Sequence, residues 1–181
     1  MTYIISFISR NKDNTIIKGF KPRSKNFLTE DFPSKELDEK FKNFIEKGAY
    51  GELSRFYVSI NRIDETKVKK ELAKFLIDEA ITPTNWKLEQ IENKVVSLAS
   101  KVENKLEKKW LFDCDTDLNT TLAFIKEIPA EVEYEIHRTP HGFAVITSRG
   151  FDTREILKKY PDIDLKRDAL LCYKWGFKGE R

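Results

Sequence analysis

The chain has 181 residues, 40% of them hydrophobic and 13 of them Phe, which is enough for one well-buried domain or a domain with a smaller appendage. Thirty-three Lys and Arg against thirty Asp and Glu leave a net charge of +3, a balance that permits nucleic-acid binding without demanding it. Two distant cysteines, Cys114 and Cys172, without a CxxC pair exclude a disulfide scaffold or a zinc ribbon and fit a reducing, cytoplasmic compartment. The apolar start MTYIISFIS lacks a basic leader and is too short to span a membrane, so it reads as a first strand.

Residues 3–9 and 15–20 are β-like runs around the polar cluster RNKDN, and they predict a hairpin. Residues 21–33 carry two prolines and no period, and read as a loop. In SKELDEKFKNFIEKG, Leu37, Phe41, Phe44 and Ile45 recur at helical spacing, with Ser34 as cap and Gly48 as stop. Residues 55–61 predict a strand. Asp64 then caps a helix that buries Val68, Leu72, Phe75 and Leu76, with Ile63 and Val68 placed for a hydrophobic staple. After Pro83, the apolar residues from Trp86 to Leu106 keep a helical period and predict one long helix over 85–107.

The second half reads as strand KWLFDCD, helix LNTTLAFIKEI with Leu118, Leu122 and Ile125 inward, and strand EVEYEIHR with Val132, Tyr134 and Ile136 inward. A TPHG turn leads to strand GFAVITS, followed by helix FDTREILKKY with a capping box from Asp152 to Glu155, and a last strand DALLCYKW. The order β-α-β-β-α-β is that of the split βαβ, or ferredoxin-like, layout shared by RNA-recognition modules and polymerase palms. The expected class is therefore α+β. Residues 1–84 form an α+β region, 85–107 a connecting helix and 108–181 the palm-like core. The first hundred residues form a domain of their own or complete the sheet.

In KKWLFDCDTD, strand alternation turns Asp113 and Asp115 to one face. Two carboxylates so close repel unless a cation lies between them. A hard divalent ion such as Mg or Mn suits oxygen ligands and can align a nucleotidyl transfer. The plainer alternative is a solvated strand end, with Thr116 or Asp117 capping the next helix. Asp164 or Asp168, near the last strand, supplies a third carboxylate. His137, Arg138, Thr139 and His141 on the hairpin are placed to hold phosphate.

FDCDTD followed by a T-x-x-G-aromatic hairpin resembles the archaeo-eukaryotic primase superfamily, especially small primase–polymerase-like phage proteins, over residues 108–175. The resemblance implies an RRM-like core with catalytic and metal-binding carboxylates at Asp113, Asp115 and Asp164, and a hairpin histidine that meets the incoming nucleotide. Ala144 stands where the family places that histidine, leaving His137 or His141 as substitutes, or a degenerate site that binds nucleotide without turnover. Partners on this view are a nucleoside triphosphate and nucleic acid, with no membrane. The competing expectations are a non-catalytic nucleic-acid-binding module and a viral protein-interaction module on the same scaffold. In the former, Arg149, Arg154, Lys158, Lys159, Lys166 and Arg167 would meet the backbone.

Overall fold

A computed structural model describes residues 1–179. The fold is α+β, with eight strands in two antiparallel four-stranded sheets and five α-helices among the described residues. The first sheet contains β1 (Tyr3–Ser9), β2 (Arg23–Thr29), β3 (Leu53–Ser59) and β8 (Leu170–Phe177), in the order β2-β1-β3-β8. The second contains β4 (Trp110–Cys114), β5 (Tyr134–Thr139), β6 (Gly142–Thr147) and β7 (Ile163–Arg167), in the order β5-β6-β4-β7.

Alternation in β1 sorts its side chains between two cores. Ile5 and Phe7 lie opposite Val58 and Phe56 of β3 and pack with Leu37 and Phe41 of α1 (Lys35–Glu46). The Phe7 and Phe56 rings meet edge-on at 5.0 Å, a favoured aromatic geometry. This cluster extends to Leu111, Ala144 and Ile146, so the second sheet shares its core with the first. Ile4 points the other way, into a core built with α2 (Glu65–Ile81) and α3 (Ile91–Ala99). The opposite face of β4, formed by Phe112 and Cys114, packs under α4 (Leu118–Ile125) through Phe124 and Ile125. Ile156 and Leu157 of α5 (Arg154–Lys159) border the same cluster.

The caps expected at Ser34 and Asp64 form: Ser34 accepts from the Leu37 N–H, and Asp64 from the Lys67 N–H. Elsewhere the chain departs from the local patterns. Residues 15–20 are turn rather than strand, and β1 pairs with residues 23–29, which lacked an evident period. Asn14 explains the change. Its buried side chain accepts from the Leu53 N–H and donates to the Leu53 carbonyl, tying the segment to the start of β3. Ile16 is left 91% exposed.

The expected long helix is broken. Only residues 91–99 are α-helical, between short 3-10 turns at 88–90 and 102–104. The buried Asn104 amide donates to the Leu98 carbonyl and closes the helix there, while Val102 and Leu106 remain exposed. Helix α4 buries Thr121, Phe124 and Ile125 and leaves Leu118 and Leu122 exposed, so its inward face is rotated from the expected one. Tyr134 and Ile136, on the edge strand β5, are likewise exposed. No side-chain cap opens α5: Asp152 bonds Arg154 instead of forming a box with Glu155.

The largest departure concerns the last strand of the second sheet. DALLCYKW does not fill that place; it is β8 and pairs with β3 in the first sheet. The strand beside β4 is IDLKR, whose Ile163 is buried against the α4 side. Asp168, with a left-handed φ of 53°, turns the chain between the two sheets. The described part of 108–181 therefore contributes strands to both sheets.

Candidate functional site: a cleft between the two sheets

The cleft holds about 360 Å³ and draws on both sheets. One wall carries Asp113 and Asp115 from the end of β4, Ala144 from β6, and Asp164 and Lys166 from β7. The other carries Ile8, Arg10 and Lys12 from β1 and its following turn, Arg55 and Tyr57 from β3, and Cys172 from β8. Thr139 and His141 close the hairpin end.

Strand geometry sets the acidic wall. Asp113 lies directly opposite Asp164 on one side and Ala144 on the other, and Asp115 follows two residues later on the same face. The third aspartate of the run has a different role. Asp117 caps α4, accepting from the Thr120 hydroxyl and from the Thr120 and Asn119 N–H groups, and these bonds, the hydroxyl's first, hold its carboxyl below the ordinary value. Thus the helix-cap reading of DCDTD holds for Asp117, while Asp113 and Asp115 face the cleft.

The TPHG turn can sit on the end of β4 because residue 142 is glycine. A Cβ there would lie 2.1 Å from the Cys114 carbonyl oxygen. This approach brings His141 to the cleft, where the Arg55 Nη2 donates to His141 Nε2 at 2.9 Å.

The basic wall is organised by a carboxylate that sequence reasoning did not single out. Asp13, its side chain 2% exposed, accepts from Arg10 Nε at 2.7 Å and from Arg55 Nη2 at 2.6 Å. Burial alone would raise the Asp13 carboxyl, but the two guanidinium hydrogen bonds outweigh it and hold the group below its ordinary value. The hydrogen bond to Asp13 raises Arg10 in turn. Arg55 is almost fully buried, and its Nε has no hydrogen-bond partner. Burial also pushes the Tyr57 hydroxyl upward and the Cys172 thiol to about 11.

Of the residues expected at the site, Asp113, Asp115, Asp164, Thr139 and His141 meet in this cleft. His137 and Arg138 do not. His137 lies 3.3 Å from Glu135 and lines a separate cavity of about 130 Å³ with Phe32, Ile146 and Leu171. Arg138 pairs with Phe143 and so takes the other face of the sheet. Asp168 is also elsewhere, bonded by Asn61 and close to Lys105. Arg10, Lys12 and Arg55 were not anticipated. No local signal marks them, because only the packing of one sheet against the other brings them to the aspartates.

The donor set fits a hard divalent cation in kind, since Asp113, Asp115 and Asp164 offer carboxylate oxygens from one wall. Among the described residues, no three Asp, Glu, His or Cys side chains already converge as a ligand group. The Lys166 ammonium is paired with Asp113, so a cation and Lys166 compete for that carboxylate. Among the described residues, no helix is long and apolar enough to cross a membrane. No family model, curated protein or solved structure matches the chain.

Proposed function

We propose that the cleft binds a nucleoside triphosphate with a divalent cation and carries out nucleotidyl transfer of primase–polymerase type. The observation that carries this reading is the facing of two unlike walls: Asp113, Asp115 and Asp164 on one side, and Arg10, Lys12 and Arg55 on the other. A polyphosphate with its cation has the complementary charge pattern. The strand order β5-β6-β4-β7, with α4 and α5 between successive strands, supports a palm-like core of the split βαβ kind.

Each wall has a distinct part in this chemistry. Arg10, Lys12 and Arg55 bind phosphate oxygens from the cationic wall. Asp13 holds both guanidinium groups in place before substrate arrives. Thr139 and His141 border the same space from the hairpin. Mg or Mn held by Asp113, Asp115 and Asp164 would neutralise phosphate charge and acidify an attacking hydroxyl. That hydroxyl oxygen forms the new bond to the α-phosphorus as pyrophosphate departs. Lys166, freed from Asp113, remains in the cleft to meet phosphate.

Two observations favour a second reading, nucleotide binding without turnover. Ala144 is buried where the resemblance places a histidine, and Lys166 occupies Asp113. Base reading on an open sheet, as in RNA-recognition modules, is disfavoured. Leu111, Ala144 and Ile146, on the sheet face away from α4, are buried in the core shared with the first sheet.

Calorimetric titration of Mn²⁺ with and without a nucleoside triphosphate tests the reading. Wild type should bind both, each tightening the other. Asp113→Asn and Asp164→Asn should lose the coupling. Lys166→Ala should bind Mn²⁺ more tightly, by about tenfold, because the competing ammonium is gone. Absence of triphosphate and Mn²⁺ binding in wild type rejects the proposal. Coupled binding without primer synthesis selects the second reading.

A further inference from the structure

Strand β5 ends its sheet, and its outer edge has the features of a self-association surface. Ser148 N–H donates to the Glu133 carbonyl at 2.8 Å. Glu135, His137 and Thr139 lie opposite Ile146, Ala144 and Gly142, in the same alternating set. Their backbone groups therefore turn toward β6. Those of Tyr134, Ile136 and Arg138 turn outward, where no strand pairs with them among the described residues. No proline or bulge interrupts β5, and Tyr134 and Ile136 are 48% and 40% exposed. An unblocked edge with apolar side chains is a pairing surface.

The side chains choose the occupant. Consider a second β5 laid antiparallel with Ile136 opposite its own copy. Tyr134 then falls across from Arg138, aromatic ring to guanidinium, on the side of the sheet facing away from the cleft. Glu135 falls across from His137 on the other side. Every pair is repeated by the two-fold axis, as an isologous interface requires. The outward backbone groups then form about six hydrogen bonds.

We propose that two copies of this chain associate through antiparallel β5 edges, with Ile136 on the two-fold axis, to form one continuous eight-stranded sheet. The cleft lies outside this contact except for its hairpin end, so dimerisation and nucleotide binding are separately testable.

Sedimentation velocity of the full chain over a range of concentrations is the test. Wild type should reach a dimer. Ile136→Lys places two ammonium groups across the axis and should raise the dissociation constant by at least about tenfold. The exposure of Ile136 means this variant should fold, and an unchanged circular dichroism spectrum checks that it does. A Glu135→Cys and His137→Cys double variant fixes the register. These positions face each other in a non-hydrogen-bonded pair, about 4.5 Å between Cα atoms, and should form an intermolecular disulfide under mild oxidation. A wild-type monomer at all concentrations overturns the proposal. So does a dimer that Ile136→Lys leaves intact or that the double variant fails to cross-link.

Discussion

Asp113 of β4 stands directly across from Asp164 of β7, two carboxylates in register on neighbouring strands. Like charges in this relation destabilise a sheet, and Lys166 on Asp113 offsets only part of the repulsion. Asp164→Asn should therefore stabilise the protein by about 0.2–1 kcal/mol while removing cation-coupled nucleotide binding. Thermal denaturation beside calorimetry checks both halves. A loss of stability would mean that Asp164 serves the fold rather than the cleft.

Acid sensitivity should trace to Asp13. Its carboxyl titrates lower in the folded protein than in the unfolded chain, where the ordinary value is 3.8. The stabilisation is therefore complete above that value and is lost as pH falls through the lower folded one. Asp13→Asn should flatten stability against pH in this acid range. Arg55→Met, which leaves Asp13 buried with Arg10 alone, should cost about 1.5–3 kcal/mol at neutral pH. Urea unfolding at several pH values reads both effects.

Asn14 should behave as a structural residue despite its position in a turn. Its amide satisfies both the N–H and the carbonyl of Leu53 in a buried setting. Asn14→Ala should cost about 1–3 kcal/mol and shift the urea midpoint without changing the slope. Asn14→Asp can still accept from Leu53 but cannot donate, and should recover little.

The two thiols should be inert in the native state. Burial, reinforced by the Asp113 and Asp115 charges, pushes Cys114 to about 12, and burial pushes Cys172 to about 11. Little thiolate exists near neutral pH, and neither residue is accessible. Alkylation at mildly alkaline pH should be slow for both and become fast in guanidinium. Rapid native labelling of Cys172 would show that the cleft opens to its floor.

Much of this molecule was legible where the physics is local. Ser34 and Asp64 announce their helices because a cap acts within three residues. The alternation of Leu111, Asp113 and Asp115 sets their common face because a strand has a period of two. Asp164 was identifiable as a third carboxylate, although IDLKR looked like a polar loop. Of its five residues only Ile163 is fully buried, so the run carries no apolar alternation.

Tertiary structure decided the rest. β2 is a strand because Asn14 reaches Leu53, 39 residues away, and carries the chain past residues 15–20. β8 leaves the second sheet because Asp168 turns it toward β3. His137 and Arg138 lie outside the cleft because the β5 register sends one to another cavity and the other through the sheet. Arg10 and Arg55 acquire a role only when β1 and β3 stand opposite β4 and β7. Residue spacing along the chain determined the carboxylates, whereas the cationic wall depended on the packing of two sheets built from strands distant in the chain, and no local period records such contacts.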